Sequence, residues 1–377
     1  MDYIPSRRST FGRERAEVPR RRFDLTRTLP GDVGLGWPMQ EALDPLLTEV
    51  AADYIPDPFG PLAARQAIAE FLGNLGCPCS ADDLVVASGT SELFARILEA
   101  LTDPGDEILV PEPGYPLLEL IARSLGIVLV PYRLASFGGF HVDGDEIRRR
   151  ITGRTRAIVV TSPHNPTGMC LTQDDISMLA SIGLPVIADE VFRGYDLRNE
   201  VHPSATALRD SLPVAVLGGL SKGALLPGMK VSWALVAEPR GVRFRETVGL
   251  LCDTYLSASS PSLAAIPTWL NKAAPKRQAL LNRCRRNLAA LEQAATNCPS
   301  LTIPRPSGGW SALVRLPAIR TEDEWVTTFF DVDVNVQPGW LFDMDGGPWV
   351  VLSLITEEST FDEGIARICS AVSTAIA

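Results

Sequence analysis

Four short segments of this 377-residue chain carry side chains that can do chemistry. Ser88-Gly89-Thr90-Ser91 follows the apolar run Leu84–Ala87. Glycine lets backbone approach a ligand closely. A helix N-terminus offers free N–H groups and the positive end of a dipole, so the segment suits a phosphate. The same residues also make an ordinary helix cap. Ser162-Pro163-His164-Asn165-Pro166-Thr167-Gly168 follows Arg156–Val160. Its two prolines and glycine form a stiff turn that holds the Asn165 amide in one orientation. His164 has no second histidine placed to share a metal or a proton. Asp189-Glu190 follows Leu184–Ala188. A carboxylate at a buried strand end needs a cation or strong hydrogen bonds. A protonated ring nitrogen meets that need, and so does a structural ion pair. Gly218-Gly219-Leu220-Ser221-Lys222-Gly223 follows Val214–Leu217. A lysine among glycines and apolar residues is partly desolvated, which lowers its pKa and makes it a nucleophile able to form a Schiff base with an aldehyde. The plain alternative is a surface lysine in a flexible loop.

The elements that must position these segments alternate regularly. Helical periodicity at Pro61–Leu75 is followed by strand Leu84–Ala87, helix Ser91–Leu101, strand Glu107–Val110 and helix Tyr115–Ser124. Further short apolar strands follow at Ile127–Pro131, Arg156–Val160, Leu184–Ala188 and Val214–Leu217. Continuous apolar strands between helices predict an α/β domain whose mostly parallel mixed sheet is covered on both faces. In such sheets, sites lie beyond the carboxyl ends of the strands, where all four segments fall. After Pro275 a long charged helix (Lys276–Ala295) precedes strands at Trp310–Leu316, Val332–Val336 and Val350–Leu354 and helices at Glu322–Phe330 and Phe361–Ile376. This pattern predicts a smaller α+β domain. The expected division is an N-terminal arm and start of the small domain over 1–40, a large domain over 41–272 and a small domain over 273–377.

Composition narrows the class. Hydrophobic residues make up 46% and charged residues 21%, an ordinary globular balance. A net charge of −10 disfavours general nucleic-acid binding. Seven scattered cysteines do not read as a disulfide framework and point to a reducing compartment. Cys77 and Cys79 lack the second pair or histidines of a metal site. No uninterrupted apolar run reaches the ~18–20 residues of a membrane span, and the start, MDYIPSRRST, has no apolar signal core. A cytoplasmic enzyme is expected. The first 27 residues hold Arg7, Arg8, Arg13, Arg15, Arg20, Arg21, Arg22 and Arg27, an arm for solvent or a partner.

A phosphate cradle, an orienting amide, a carboxylate for a pyridinium and a Schiff-base lysine, in that order along one sheet, are the parts that pyridoxal 5′-phosphate requires. The chain resembles the class I/II aminotransferases of the fold type I pyridoxal-phosphate enzymes over residues 23–377. The resemblance is carried by Tyr54…Gly60, Ser88-Gly89-Thr90, Pro113-Gly114-Tyr115-Pro116, Asn165-Pro166-Thr167-Gly168, Asp189-Glu190-Val191, Ser221-Lys222 and Pro227-Gly228-Met229-Lys230. It implies that Lys222 forms the Schiff base and moves the proton, that Asp189 partners the pyridine nitrogen and that Asn165 donates to the phenolic oxygen. It further implies that Tyr115 stacks on the ring, and that Gly89, Thr90 and Ser91 hold the phosphate, with Ser221 and Lys230 closing the loop. Tyr54 matches a tyrosine reaching the phosphate of the neighbouring subunit, so a homodimer is implied. Gly36 and Trp310 match positions near the substrate, although Trp310 equally suits core packing.

Three positions depart from the family's common pattern. Val351 stands where an arginine usually forks to the substrate α-carboxylate, a contact of roughly 1.5–3 kcal/mol. Another arginine substitutes, the carboxylate is held differently, or the substrate lacks it. Lys230 stands where many members have arginine; the charge is kept and the planar fork is lost. Phe192 stands where a tyrosine usually donates to the phenolic oxygen. The implied activity is amino transfer between an amino acid or related amine and a keto or aldehyde acceptor, in specialised small-molecule biosynthesis. A lyase acting by β- or γ-elimination or decarboxylation uses the same parts, and a non-catalytic binding protein is the remote alternative. With Phe192 the cofactor's phenolic oxygen has one donor fewer, so the Schiff base at Lys222 is expected to hold its proton to higher pH. A visible-spectrum pH titration checks this, and an ordinary low titration midpoint would contradict it.

Overall fold

The computed structural model describes residues 21–48, 56–136, 139–239, 243–256 and 258–377. Strand β1 (Phe23–Asp24) lies far from the large sheet in sequence and pairs elsewhere. The large sheet has seven strands: β2 (Leu84–Ala87), β3 (Glu107–Glu112), β4 (Val128–Arg133), β5 (Thr155–Thr161), β6 (Val186–Asp189), β7 (Val214–Gly219) and β8 (Ser232–Ala237). Their spatial order is β2-β8-β7-β6-β5-β3-β4. The pairs from β7 through β6, β5 and β3 to β4 are parallel. The strands are apolar throughout because both faces are covered. In β2, Leu84 and Val86 enter one buried cluster while Val85 and Ala87 enter another on the opposite face. Ile187 of β6 joins the second cluster and Val186 and Ala188 the first.

Strand β8 is antiparallel to both β2 and β7 and was not singled out by the sequence rhythm. A parallel return needs a crossover of a dozen or more residues, usually a helix. Between Gly219 and Ser232 the chain makes only a short helix (Leu220–Gly223) and a 3-10 turn (Pro227–Met229), so it reverses.

The predicted strand at Val332–Val336 shortens to β10 (Val334–Asn335), and a second short piece, β11 (Gln337–Pro338), lies just beyond it; both follow β9 (Ser311–Arg315) in the chain. Strand β10 pairs in parallel with β1, and β11 joins β12 (Trp349–Ser353) and β9 in an antiparallel sheet. The predicted helix at Lys276–Ala295 is a 38-residue helix, Ser260–Asn297, that continues through Pro267 and Pro275. Its first half buries Ala265, Ile266, Trp269 and Leu270 against the large sheet's core. Its second half buries Leu280, Cys284, Leu288 and Leu291 in a separate core with Phe23, Leu25, Phe361 and Val372. Burial on both sides outweighs the intrinsic cost of proline in a helix, about 3 kcal/mol per residue. No helix among the described residues is long and apolar enough to cross a membrane.

Asn287 pins this helix to the end of β12. It is fully buried, and its Nδ2 donates to the carbonyls of Leu354 (2.9 Å) and Thr356 (2.8 Å). Replacing Asn287 by Leu leaves two buried acceptors without that donor and is expected to destabilise the fold by about 2–4 kcal/mol. Denaturant unfolding of the variant beside the parent measures it.

Candidate active site

The carboxyl edge of the large sheet assembles the four segments. Register sets one row, Ala87–Ser232–Gly219, across β2, β8 and β7, and another, Leu217–Asp189–Thr161, across β7, β6 and β5. The chain leaves β2 into the helix Thr90–Leu101, with Gly89 as its N-cap. It leaves β7 into Leu220–Gly223, which carries Ser221 and Lys222. Thr90, Ser91, Tyr115, Asn165, Asp189, Phe192, Ser221, Lys222 and Trp310 line one cavity of about 570 Å³.

Lys222 Nζ stands 4.7 Å from the centroid of the Trp310 ring and 5.5 Å from that of Phe192. Desolvation lowers its pKa to about 8, opposed by the charge of Asp189. Asp189 is pushed the other way, up to about 6, chiefly by desolvation and further by Glu190; the Val191 N–H and Lys222 oppose the rise. The two carboxylates of Asp189-Glu190 have different fates. Glu190 is buried with a full set of partners: Arg193 at 3.0 Å, the Ser204 hydroxyl at 3.0 Å and the Ala205 N–H at 2.8 Å. Asp189 faces the cavity. Among the described residues its carboxylate accepts one hydrogen bond, from the Val191 N–H at 3.1 Å, and forms no ion pair. A desolvated carboxylate with room beside it fits a protonated ring nitrogen.

Gly168 closes the turn that carries Asn165. Its N–H donates to the His164 carbonyl at 2.7 Å, its φ is +70°, and a Cβ there would lie 2.4 Å from Pro306. The Asn165 Oδ1 accepts from the Ser311 hydroxyl at 3.4 Å, leaving the amide nitrogen for the cavity. His164 is buried, meets the Thr167 hydroxyl at 2.9 Å and is held neutral by desolvation, which lowers its pKa to about 4. It belongs to the turn.

The remaining sequence-derived residues lie elsewhere. Tyr54 is outside the described residues, as are Arg7, Arg8, Arg13, Arg15 and Arg20 of the arm. Gly36 is exposed and does not line the cavity. Lys230 is exposed, with left-handed backbone (φ +52°), also outside the lining. Val351 is buried with Leu313, Phe342 and Trp349 in an apolar cluster of its own. Two neighbours escaped the sequence reading. Tyr195 is fully buried; its Oη donates to the Lys222 carbonyl at 2.7 Å and its ring meets Trp310 edge-on at 5.1 Å. Ser311 adjoins Trp310 in the chain, which was its only sequence signal.

Because the Asp189 carboxylate favours the ammonium form of Lys222, Asp189→Asn is expected to lower the Lys222 pKa below about 8. The pH dependence of Lys222 acylation in cofactor-free protein, read by peptide mass spectrometry, measures this. An unchanged or raised midpoint would contradict it.

Comparison with known proteins agrees with this geometry. The family model "Aminotransferase class I and II" matches residues 39–368. The arginine–pyruvate transaminase AruH of Pseudomonas aeruginosa is 30% identical over 338 residues, covering 88% of this chain and 84% of that protein. Tyrosine aminotransferase of Dictyostelium discoideum is 32% identical over 179 residues, 46% of this chain and 43% of that protein. That of Mus musculus is 26% identical over 294 residues, 76% and 64%. The chain thus spans less than two thirds of the length of these tyrosine aminotransferases. The fold is that of the Pyrococcus furiosus alanine aminotransferase (TM-score 0.85, 22% identity, covering 98% of this chain and 100% of that one). It is also that of the Leishmania infantum tyrosine aminotransferase (TM-score 0.86, 19% identity, 99% of each chain). The chain belongs to the class I and II aminotransferase family, whose members depend on pyridoxal 5′-phosphate.

Proposed function

We propose that this protein is a pyridoxal-phosphate-dependent aminotransferase. The observation that carries the reading is that Lys222 and Asp189, with pKa values drawn toward neutrality from opposite sides, line the same cavity as the N-terminus of Thr90–Leu101. Bound there, the cofactor supplies an aldehyde for the amine and a protonated ring that draws electrons from the substrate's Cα. Lys222 would hold the cofactor's aldehyde as a neutral amine and, once the donor's amine has displaced it, would take the Cα proton and pass it to the cofactor's former aldehyde carbon; a pKa near 8 gives it both forms at working pH. Asp189 holds the ring nitrogen's proton. The Asn165 amide would donate to the ring oxygen, Tyr115 would cover a ring face, and Gly89, Thr90, Ser91 and Ser221 would hold the phosphate, with Lys230 approaching it from outside the cavity lining.

The active unit is a homodimer in which Tyr54 reaches the neighbouring phosphate. Exposed Met39, Leu47, Leu62, Leu250 and Tyr255 support such an interface. Residues 41–272 form the large domain, and 273–377 with the arm through residue 40 the small one, hinged along Ser260–Asn297; the separate core that joins Phe23 and Leu25 to Phe361 supports this division. The apolar surroundings of Val351 support amino donors held without a fork at that position, among them amines with no α-carboxylate. The same proposal includes a role in specialised small-molecule biosynthesis in the cytoplasm.

The test adds a panel of amino acids and carboxylate-free amines to the holoprotein, following the visible spectrum and the products. A carbonyl product with the amino group retained on the cofactor supports transfer; ammonia or carbon dioxide moves the assignment to a lyase. Lys222→Ala is expected to lose the visible band and to slow amino transfer on the order of 10⁴-fold. Retention of either would overturn the role of Lys222.

A further inference from the structure

The row Ala87–Ser232–Gly219 holds a hydroxyl that no role above uses. Ser232 is 3% exposed, lines the cavity, and among the described residues has no hydrogen-bond partner for its side chain. The hydroxyl opens on the cavity, so a ligand bound there can supply its partner. Its place identifies the ligand group. Through Ala87 it adjoins the strand that runs into Ser88, Gly89 and the N-terminus of Thr90–Leu101. Through Gly219 it adjoins the strand that runs into Ser221 and Lys222. Asp189 is two strands away, roughly 10 Å by the spacing of strands in a sheet. Ser232 therefore serves the cradle end of the cavity and not the end that meets a ring nitrogen. The nearby Ser88 hydroxyl is engaged with the Glu92 carboxylate at 2.6 Å.

Gly219 explains how the hydroxyl fits. Its backbone is extended (φ −179°), which any residue adopts, so conformation does not require glycine. Space does: a Cβ at 219 would lie 2.6 Å from the Ser232 Oγ and 3.2 Å from its Cβ. A side chain at 219 would push the Ser232 hydroxyl out of its present position, and in this chain β8 supplies the hydroxyl.

We propose that Ser232 binds the phosphate of the cofactor, its hydroxyl donating to a phosphate oxygen beside the N-terminus of Thr90–Leu101. The inference rests on the aminotransferase reading and adds a residue to its site. A hydroxyl is well suited here, because hydrogen bonds to a dianion are stronger than neutral ones and leave the helix N–H groups free for the other oxygens.

The test titrates cofactor-free protein with pyridoxal 5′-phosphate and, separately, with pyridoxal, which lacks the phosphate, following tryptophan fluorescence. Ser232→Ala is expected to weaken pyridoxal 5′-phosphate binding roughly 10- to 100-fold and to leave pyridoxal binding unchanged. Inorganic phosphate should compete less well in the variant by a similar factor. Gly219→Ser alone should weaken binding through the clash. Gly219→Ser with Ser232→Gly moves the hydroxyl to the neighbouring strand and should restore affinity for the phosphorylated ligand. Unfolding midpoints of all variants separate binding from folding. Equal losses for both ligands, no loss in Ser232→Ala, or no recovery in the double variant would overturn the assignment while the aminotransferase reading stands. Failure of the parent protein to bind pyridoxal 5′-phosphate would overturn both.

Discussion

The site depends on placing a cation and a carboxylate together where water is scarce. Loss of hydration is the dominant influence on both Lys222 and Asp189 and moves their pKa values toward each other, to about 8 and about 6. Each then tempers the other's shift. The pair also burdens the fold. Folding lowers the Lys222 pKa, so burying its cation opposes folding fully below about pH 8 and ceases to do so only above its ordinary value of 10.5. Folding raises the Asp189 pKa, so burying its anion opposes folding fully above about pH 6 and not below its ordinary 3.8. Between about pH 6 and about pH 8 both penalties are present, and a ligand offering an aldehyde to one group and a ring N–H to the other relieves them. The rest of the structure makes that arrangement tolerable.

The sheet does so by being covered on both faces. With Leu84 and Val86 packed one way and Val85 and Ala87 the other, a ligand has access only at a strand end. The same two-sided burial made the parallel strands legible, because it demands unbroken apolar runs. Strand β8 broke the rhythm: it returns without a helix and so lacks the alternation that marked the others. It nevertheless sets Ser232 between the cradle and the lysine. The long helix was half legible. Its charged second half has the expected period, whereas Pro267 and Pro275 hide the first half, which only tertiary burial of Ile266, Trp269 and Leu270 sustains.

Within the site, residue type and position after a strand identified Asn165, Asp189 and Lys222 as candidates. What sequence could not reveal is which neighbour faces the cavity. Asp189 and Glu190 are adjacent carboxylates, and only packing tells them apart, since Arg193, Ser204 and Ala205 satisfy Glu190 and leave Asp189 open. Tyr195 was equally hidden, because its contact is with the backbone carbonyl of Lys222, 27 residues on. A side chain that grips main chain leaves no compositional trace. Yet this contact and the edge-on packing on Trp310 fix the base of the lysine while the rings of Trp310 and Phe192 border its Nζ.

Those rings bear on the departures at Phe192 and Val351. Aromatic faces attract an ammonium without offering it a proton acceptor, so Phe192 gives up a hydroxyl and keeps a surface beside Lys222. Val351 is likewise part of a set. It pairs in register with Leu313 and shares its cluster with Phe342 and Trp349. A guanidinium there would need a carboxylate to meet its charge within an apolar cluster. Among the described residues lining the cavity, Lys222 is the one basic side chain, against Glu112, Glu119, Asp189 and Asp343. On the aminotransferase reading, a donor carboxylate finds neither the fork nor a basic wall in the described part of the cavity.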